Sequence, residues 1–566
     1  MRLSGERAAL VLAVLVGACL RLHAISDQIL VDDEWHMVHA LRGGAPLRAI
    51  IQGFGTNDHS IGSSVCVWGL MRLGRADETI LRLPSLLAGL ALLGVPLWFA
   101  PRFGKRVATL WTWLLAVSPL CCFFTRLARP YAMTMLLDSV ALLAFYAWSQ
   151  SGRRRDAWAY YLSSCVAPVF HLAALPALLA PLALSTLERR WPRSTPGHVR
   201  RRWPLIAASL ATTGALLAIP MLGGGQQITQ KLQADHFRLA AAPGFLELLS
   251  GTSRWPLVVA MFAAVGIGIR TLGRTLPAFT AYVLVAVAVQ GAVTFASGAV
   301  AVHIPIVAAR YCAVVLPLLL LLAAVGLAAA AQRWRVPAGA MAVAAGGLLL
   351  AGGPLPWIYG TVNDFTNHIS YQADYRPGRY FERFRPQAPS VFYVRLATEP
   401  PGSMTIAEAP WFYYFHSLAY CQRIHRQRVV LGLITAASAT PREGELSAAD
   451  PGIVLRNAVD LADPAQLRRK DVRYVVFHRD PIAETRWPTG VTERAIDISG
   501  WIARYAHLYG PPVFEDDQLV VFAPSEEARR LARQGSHDHG GVRRAVQRAP
   551  EHRRGPVAQS GLEVRR

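Results

Sequence analysis

Three carboxylates stand in a row at Asp32, Asp33 and Glu34, inside the stretch Ser26-Asp27-Gln28-Ile29-Leu30-Val31-Asp32-Asp33-Glu34-Trp35-His36 that follows the apolar run Ala8–Ile25. Adjacent carboxylates just beyond a membrane helix are costly unless water, a cation or a catalytic task holds them. A helix starting at Glu34 would use Asp32 and Asp33 as N-terminal caps, which accounts for one carboxylate and not for three. Farther along, Asn57-Asp58-His59 adds an acid and an imidazole, and His171 follows Phe170. Arg82, Arg129 and Arg310 stand where apolar runs begin. A guanidinium there either snorkels to lipid headgroups or holds an anion such as a phosphate with its planar fork. Asp33, Glu34, Asp58, His59 and His171 could surround a divalent cation, and nothing in their spacing demands one. The seven cysteines show no CxxC or Cys/His ligand spacing, so neither structural zinc nor a disulfide framework is expected.

These residues sit in a chain built for a bilayer. Of the 36 acidic residues, 13 lie in the first 358, and seven of those fall between Asp27 and Glu78. The rest of that region is apolar runs separated by short Arg-bearing loops, which excludes a soluble enzyme. The net charge of +22 comes almost wholly from Arg in loops and tail, without an aromatic-interleaved stripe, so nucleic-acid binding is not expected. Ala8–Ile25, Ile80–Ala100, Val107–Phe124, Tyr131–Ser149, Pro204–Leu222, Pro256–Ile269, Leu276–Ser297, Tyr311–Ala331 and Pro337–Ile358 each approach the ~20 residues a crossing helix needs. Placing the basic clusters on the cytoplasmic side makes Trp158–Leu187 a short hairpin or re-entrant pair with its tip near His171. The count is then about eleven crossings, with loops 26–79 and 223–255 and everything from 359 on outside. Residues 1–358 form the membrane domain, 359–524 an α/β domain, and 525–566 a basic tail that reads as disordered. In the α/β domain, Val391–Arg395, Val429–Leu433, Tyr474–Phe477 and Leu519–Phe522 read as strands, and Pro410–Gln427 and Pro464–Lys470 as helices. There are no internal repeats.

The motif series resembles the glycosyltransferase C superfamily, especially the protein O-mannosyltransferases and lipid A aminoarabinose transferases (family 39-like). Asp33-Glu34 after the first helix is similar to the family's Asp-Glu pair. Asn57-Asp58-His59-Ser60-Ile61-Gly62-Ser63 resembles its Asx-rich His motif, leading into an amphipathic helix over Ser64–Leu73. Leu81-Arg82-Leu83-Pro84-Ser85, Arg129-Pro130-Tyr131-Ala132, Phe170-His171 and Arg310-Tyr311 resemble its later stretches, in order, over about the first 330 residues. Two departures stand out. Ser60-Ile61 replaces the usual Pro-Pro or Pro-Leu, and Leu127 occupies a place where many members carry a Glu, which bears on metal and acceptor binding.

The resemblance implies an α-helical polytopic enzyme of the bacterial inner (plasma) membrane with a periplasmic C-terminal domain. It would move a sugar from a polyprenyl-phosphate donor to a lipid, glycan or protein acceptor at the outer face. In that chemistry a carboxylate takes the acceptor proton, the role expected of Asp33 with Glu34 assisting. The leaving phosphate needs positive charge, expected from Arg310, Arg129 and Arg82 with Tyr311 beside them. Asp58, His59 and His171 are expected at the acceptor or at a divalent metal, with no cofactor certain. Neighbouring readings are a ligase or polymerase moving whole lipid-linked oligosaccharides, a transporter or flippase, and an anchored assembly protein. A flippase would carry charges at mid-span and paired repeats, and Asp138 is the main such charge here. A simple anchor would not need so many crossings.

Overall fold

The computed structural model describes residues 5–30, 34–41, 44–52, 60–187, 196–231, 236–297, 302–359, 389–409, 421–422, 424–433, 452–479 and 498–526. The first half is helical. It runs from α1 (Gly5–Leu22) through the short helices α2 (Trp35–Leu41), α3 (Leu47–Gln52) and α4 (Ile61–Leu70) to α5 (Glu78–Leu92) and α6 (Val95–Phe103). There follow α7 (Lys105–Val117), α8 (Pro119–Thr125), α9 (Tyr131–Ser151), α10 (Arg154–Phe170), α11 (Leu175–Leu178), α12 (Ala180–Leu187) and the long α13 (Pro196–Lys231). The membrane part closes with α14 (Ala242–Ser250), α15 (Trp255–Thr275), α16 (Pro277–Ala296), α17 (Pro305–Cys312), α18 (Leu316–Arg333), α19 (Ala338–Gly352) and α20 (Leu355–Ile358).

Among the described residues six helical stretches are long and apolar enough to cross a membrane, and seven if α7 and α8, bent by 61°, count as one span. The remaining apolar runs make shorter or more charged helices. α1 carries Glu6, Arg7 and Arg21 within its 18 residues, and α19 has 15 residues. Trp158–Leu187 is broken at His171, where α10 ends and a 3₁₀ turn, Leu172–Ala174, begins. The chain is therefore a multi-pass helical membrane protein, with six or seven long apolar spans among the described residues.

α7, α9 and α18 lie almost wholly inside one apolar core with α10 and α15 packed around them. The α15–α18 crossing depends on glycine. A Cβ on Gly268 would stand 1.9 Å from the Leu322 carbonyl oxygen, and one on Gly326 would stand 1.9 Å from that of Ala264. In lipid, where apolar burial gives helices no reason to associate, such backbone-to-backbone contact is what holds them together.

The C-terminal domain is a six-stranded sheet in the order β3-β2-β1-β4-β6-β5. β1 (Thr405–Ala409), β2 (Arg428–Leu433), β3 (Ala458–Asp460) and β4 (Val472–His478) are parallel, while β6 (Leu519–Phe522) runs antiparallel to β4 and to β5 (Phe514–Glu515). Its helices are α21 (Val391–Leu396), α22 (Pro464–Arg469) and α23 (Ile498–Tyr509). Val391–Arg395, expected as a strand, is helical: Ser390 caps it by accepting the Phe392 N–H, and Phe392, Tyr393 and Leu396 bury one helical face. The expected helix Pro410–Gln427 and the tail 527–566 lie mostly outside the described residues. One face of the sheet packs under α23. The other joins Ile406, Leu431, Tyr474 and Val476 to Ile29, Leu30, Met37 and Val38 of the segment between α1 and α3 in a single apolar cluster.

Candidate functional site at one end of the helical bundle

The loop after α1 is fastened by a buried ion pair. Arg82, one turn into α5, donates from Nε to Glu34 Oε1 and from Nη2 to Glu34 Oε2, both at 2.8 Å, and both side chains are 0% exposed. Its remaining N–H groups go to backbone carbonyls: Nη1 to Ile25 (2.9 Å) and Gln28 (2.8 Å), Nη2 to Ile29 (2.9 Å). All five guanidinium N–H groups are thus used within the protein. Glu34 Oε1 also accepts the Ala128 N–H at 2.7 Å. Burying two charges is costly unless every donor and lone pair is matched, and here the matching reaches both carboxylate oxygens and every guanidinium N–H.

Arg126 fastens the same loop from α8. Its Nη1 donates to the Leu20, Arg21 and His23 carbonyls, the shortest at 2.6 Å, and its Nη2 to Gln28 Oε1 at 3.3 Å. Arg21 is fully buried and donates to the carbonyls of Gly17, Leu115 and Ala116, locking α1 onto α7. Neither Arg21 nor Arg126 is singled out by the sequence, because an arginine beside an apolar run reads as a headgroup anchor. Most of their targets are backbone carbonyls about a hundred residues away.

Ala128 leads directly into the Arg129-Pro130-Tyr131 turn, so the contact from Glu34 sets that turn against the acidic loop. Ser85 Oγ, one turn past Arg82, holds the turn a second time by donating to the Arg129 carbonyl at 2.5 Å. The Arg129 guanidinium lies 5.8 Å from the Tyr131 ring centre. The Arg310 guanidinium lies 5.5 Å from the same ring and 5.2 Å from that of Tyr311. His171 completes the group, with its ring centre 5.5 Å from that of Tyr131 and 5.9 Å from that of Tyr311. Its Nδ1 accepts the Ala173 N–H at 3.0 Å, which fixes the ring orientation at the α10 break. Two guanidinium charges and an imidazole around two tyrosine rings form a cationic cradle, a setting that favours an anion.

Gln290 of α16 is a further support that the sequence does not reveal. Its Nε2 donates to the Tyr311 carbonyl (2.8 Å) and the Ala173 carbonyl (3.0 Å), and its Oε1 accepts the Ala177 N–H (3.2 Å). One amide thus ties the His171 break to the Arg310-Tyr311 helix.

The structure brings together Arg129, Arg310, Tyr311 and His171, and joins Glu34 to Arg82. Asp32, Asp33, Asp58 and His59 lie outside the described residues. Asp33 is one peptide bond from the clamped Glu34. The helix after the His59 motif starts against the His171 break, since a Cβ on Gly62 would meet the Phe170 ring at 2.9 Å and Ile61 shares a small apolar cluster with Leu172. Among the described residues no group of three or more His, Cys, Asp or Glu is placed to hold a metal ion.

No family model and no curated protein matches this chain. Solved structures do. The chain is similar to ArnT from Cupriavidus metallidurans in the apo state, with 14% identity and a TM-score of 0.45 over 93% of this chain and 99% of that one. The same protein bound to undecaprenyl phosphate gives 15% identity and a TM-score of 0.43 over 92% and 98%. The oligosaccharyltransferase AglB from Archaeoglobus fulgidus, in complex with an inhibitory peptide and a dolichol-phosphate, gives 11% identity and a TM-score of 0.44 over 84% and 69%.

Proposed function

We propose that this protein is a membrane glycosyltransferase that moves a sugar from a polyprenyl-phosphate donor to an acceptor at the outer face of the membrane. The observation that carries this reading is the Glu34–Ala128 contact. It joins Glu34, the neighbour of Asp33 in sequence, to the residue before Arg129, which supports a reading in which a carboxylate and a cationic cradle serve one site. In this reading Arg129 and Arg310 hold the donor phosphate, with Tyr131, Tyr311 and His171 shaping the space between them. Asp33 takes the proton from the acceptor hydroxyl. The acceptor oxygen then attacks the anomeric carbon, the bond from that carbon to the phosphate oxygen breaks, and polyprenyl phosphate leaves with the electron pair. A phosphate is already a fair leaving group, and fixed positive charge at the departing oxygens is what remains for the protein to supply.

Arg82 and Glu34 take different parts from those the motif series alone implies. With both carboxylate oxygens and all five N–H groups engaged, they hold the Asp33 loop in place instead of meeting substrate. About eleven crossings, with the first loop and the sheet domain outside an inner membrane, complete the proposal.

Purified protein in lipid vesicles, offered a panel of polyprenyl-phosphate sugars, should release polyprenyl phosphate from at least one of them when a hydroxylated acceptor is present. Failure with every donor would remove the transferase reading. In a cysteine-free background, single cysteines placed at the exposed Gln52 and Glu399 should react with an impermeant reagent in intact, outer-membrane-permeabilised cells. Reaction only after lysis would reverse the orientation.

A further inference from the structure

The sheet domain reaches the first outer loop through specific polar contacts as well as apolar packing. Ala76 forms a one-residue parallel bridge with Ile453: its N–H donates to the Gly452 carbonyl (2.8 Å) and its carbonyl accepts the Val454 N–H (2.9 Å). Two residues on, the Glu78 carboxylate accepts the N–H groups of Arg456 (2.9 Å) and Asn457 (2.8 Å). The Arg456 guanidinium pairs with Asp77, and Lys470 donates to the Arg456 carbonyl. Asn457 then turns its side chain toward the acidic loop. Its Nδ2 donates to the Ser26 carbonyl at 2.9 Å and to the Gln28 carbonyl at 3.5 Å.

The Gln28 carbonyl is also a target of Arg82 Nη1, at 2.8 Å. Arg82 reaches this loop from the membrane side and Asn457 from the sheet side. Asn457 is itself anchored in the sheet, because its carbonyl accepts the Leu431 N–H of β2 at 2.9 Å. The loop that leads to Asp33 is therefore held between two rigid bodies, a membrane helix and a parallel sheet. Loop backbone with a single fastening opens locally at small cost, whereas fastening from both sides removes that freedom.

We infer that Asn457 is a positioning residue for the transfer step, and that the C-terminal domain braces the Asp33 loop as a working part of the site. The inference rests on the transferase reading for its catalytic half only. The brace itself is a structural claim with its own readout.

The test uses the full-length protein in lipid nanodiscs, with Asn457→Ala and the milder Asn457→Ser, which keeps a short donor. Amide hydrogen exchange over residues 25–30 reports the brace. Steady-state release of polyprenyl phosphate reports the chemistry. Losing one partly buried hydrogen bond of ordinary strength should speed exchange of these amides and lower kcat by about five- to tenfold in Asn457→Ala, less in Asn457→Ser. The donor KM should stay within about twofold, because Arg129 and Arg310 are untouched, and a general loss of folding would not spare it. Unchanged exchange in both variants would overturn the brace. Faster exchange with unchanged kcat, or a loss confined to KM, would overturn the positioning role. Wild-type protein inactive with every donor, alongside faster exchange in the variants, would refute the transferase reading and leave the brace standing.

Discussion

Arg82→Lys separates the two parts that an arginine at this position can play. If Arg82 bound the donor phosphate, lysine would keep the charge, lose the fork and weaken donor binding. The structure gives it another task. Its guanidinium spans Glu34 and three carbonyls, and an ammonium with three donors on a flexible stem cannot reach all of them at once. Removing one member of a buried, fully matched pair costs about 3–5 kcal/mol, because the partner stays buried and unpaired. Arg82→Met should therefore destabilise the protein by about that amount, and Arg82→Lys by less. Adding Glu34→Gln to Arg82→Met should cost far less than the two single losses combined, since the orphaned charge is gone. The coupling energy should be at least about 2 kcal/mol. Denaturation of the detergent-solubilised protein gives the stabilities, and binding of a polyprenyl phosphate gives donor affinity. For Arg82→Lys the account predicts lower kcat and lower stability, with donor affinity within about threefold of wild type. Additive stability losses, or a tenfold loss of donor affinity at unchanged stability, would refute the reasoning.

Three further outcomes follow from other parts of the structure. Arg310→Ala should lower kcat/KM for the donor by about ten- to a hundredfold, the worth of one charge-assisted contact, and Arg310→Lys by less; unchanged donor kinetics would make Arg310 a headgroup anchor. Gly326→Val should force α15 and α18 apart, seen as a large fall in thermal stability, whereas the open Gly266→Val should be tolerated. His425 is buried and neutral, its pKa pushed down to about 3 by burial, while its ring stacks on Tyr393. An unfolded His titrates near 6.5, so this contribution to stability is intact above that pH and lost progressively as pH falls toward about 3, by about 1.4 kcal/mol per unit. His425→Phe should flatten that acid limb by about one proton, and an unchanged slope would show that His425 does not titrate on unfolding.

Much of the fold can be read from the sequence where a single pattern dominates. The apolar runs find the membrane helices, and Val429–Leu433, Tyr474–Phe477 and Leu519–Phe522 find three strands of the sheet. The failures have local physical causes. Val391-Phe392-Tyr393-Val394 is as β-prone as any strand, and the Ser390 cap with burial at Phe392, Tyr393 and Leu396 makes it helical instead. β1 escapes notice because Glu408 breaks its apolar run, and that carboxylate is buried only because Tyr393 and His478 donate to it at 2.9 Å. In the candidate site, Arg129, Arg310 and Tyr311 stand at the ends of apolar runs and His171 in the middle of one, positions where a polar residue needs a reason. The partner of Arg82 is not legible, since Glu34 is 48 residues away and no local pattern couples them. Gln290 and Asn457 are neutral amides, and the distant backbone groups that their side chains reach leave no local mark in the sequence.

The central claim is that one carboxylate of the acidic row, Asp33, does the proton transfer. An electrostatic or capping role would be shared between neighbours, whereas a general base must stand within ~3 Å of one acceptor atom. The decisive measurement is turnover of polyprenyl-phosphate sugar by Asp33→Asn beside Asp32→Asn, each nearly isosteric and each shown to be folded by its thermal transition. The account predicts a loss of at least ~100-fold for Asp33→Asn and a change of no more than a few-fold for Asp32→Asn. Equal losses in the two, or near-normal turnover in Asp33→Asn, would contradict it.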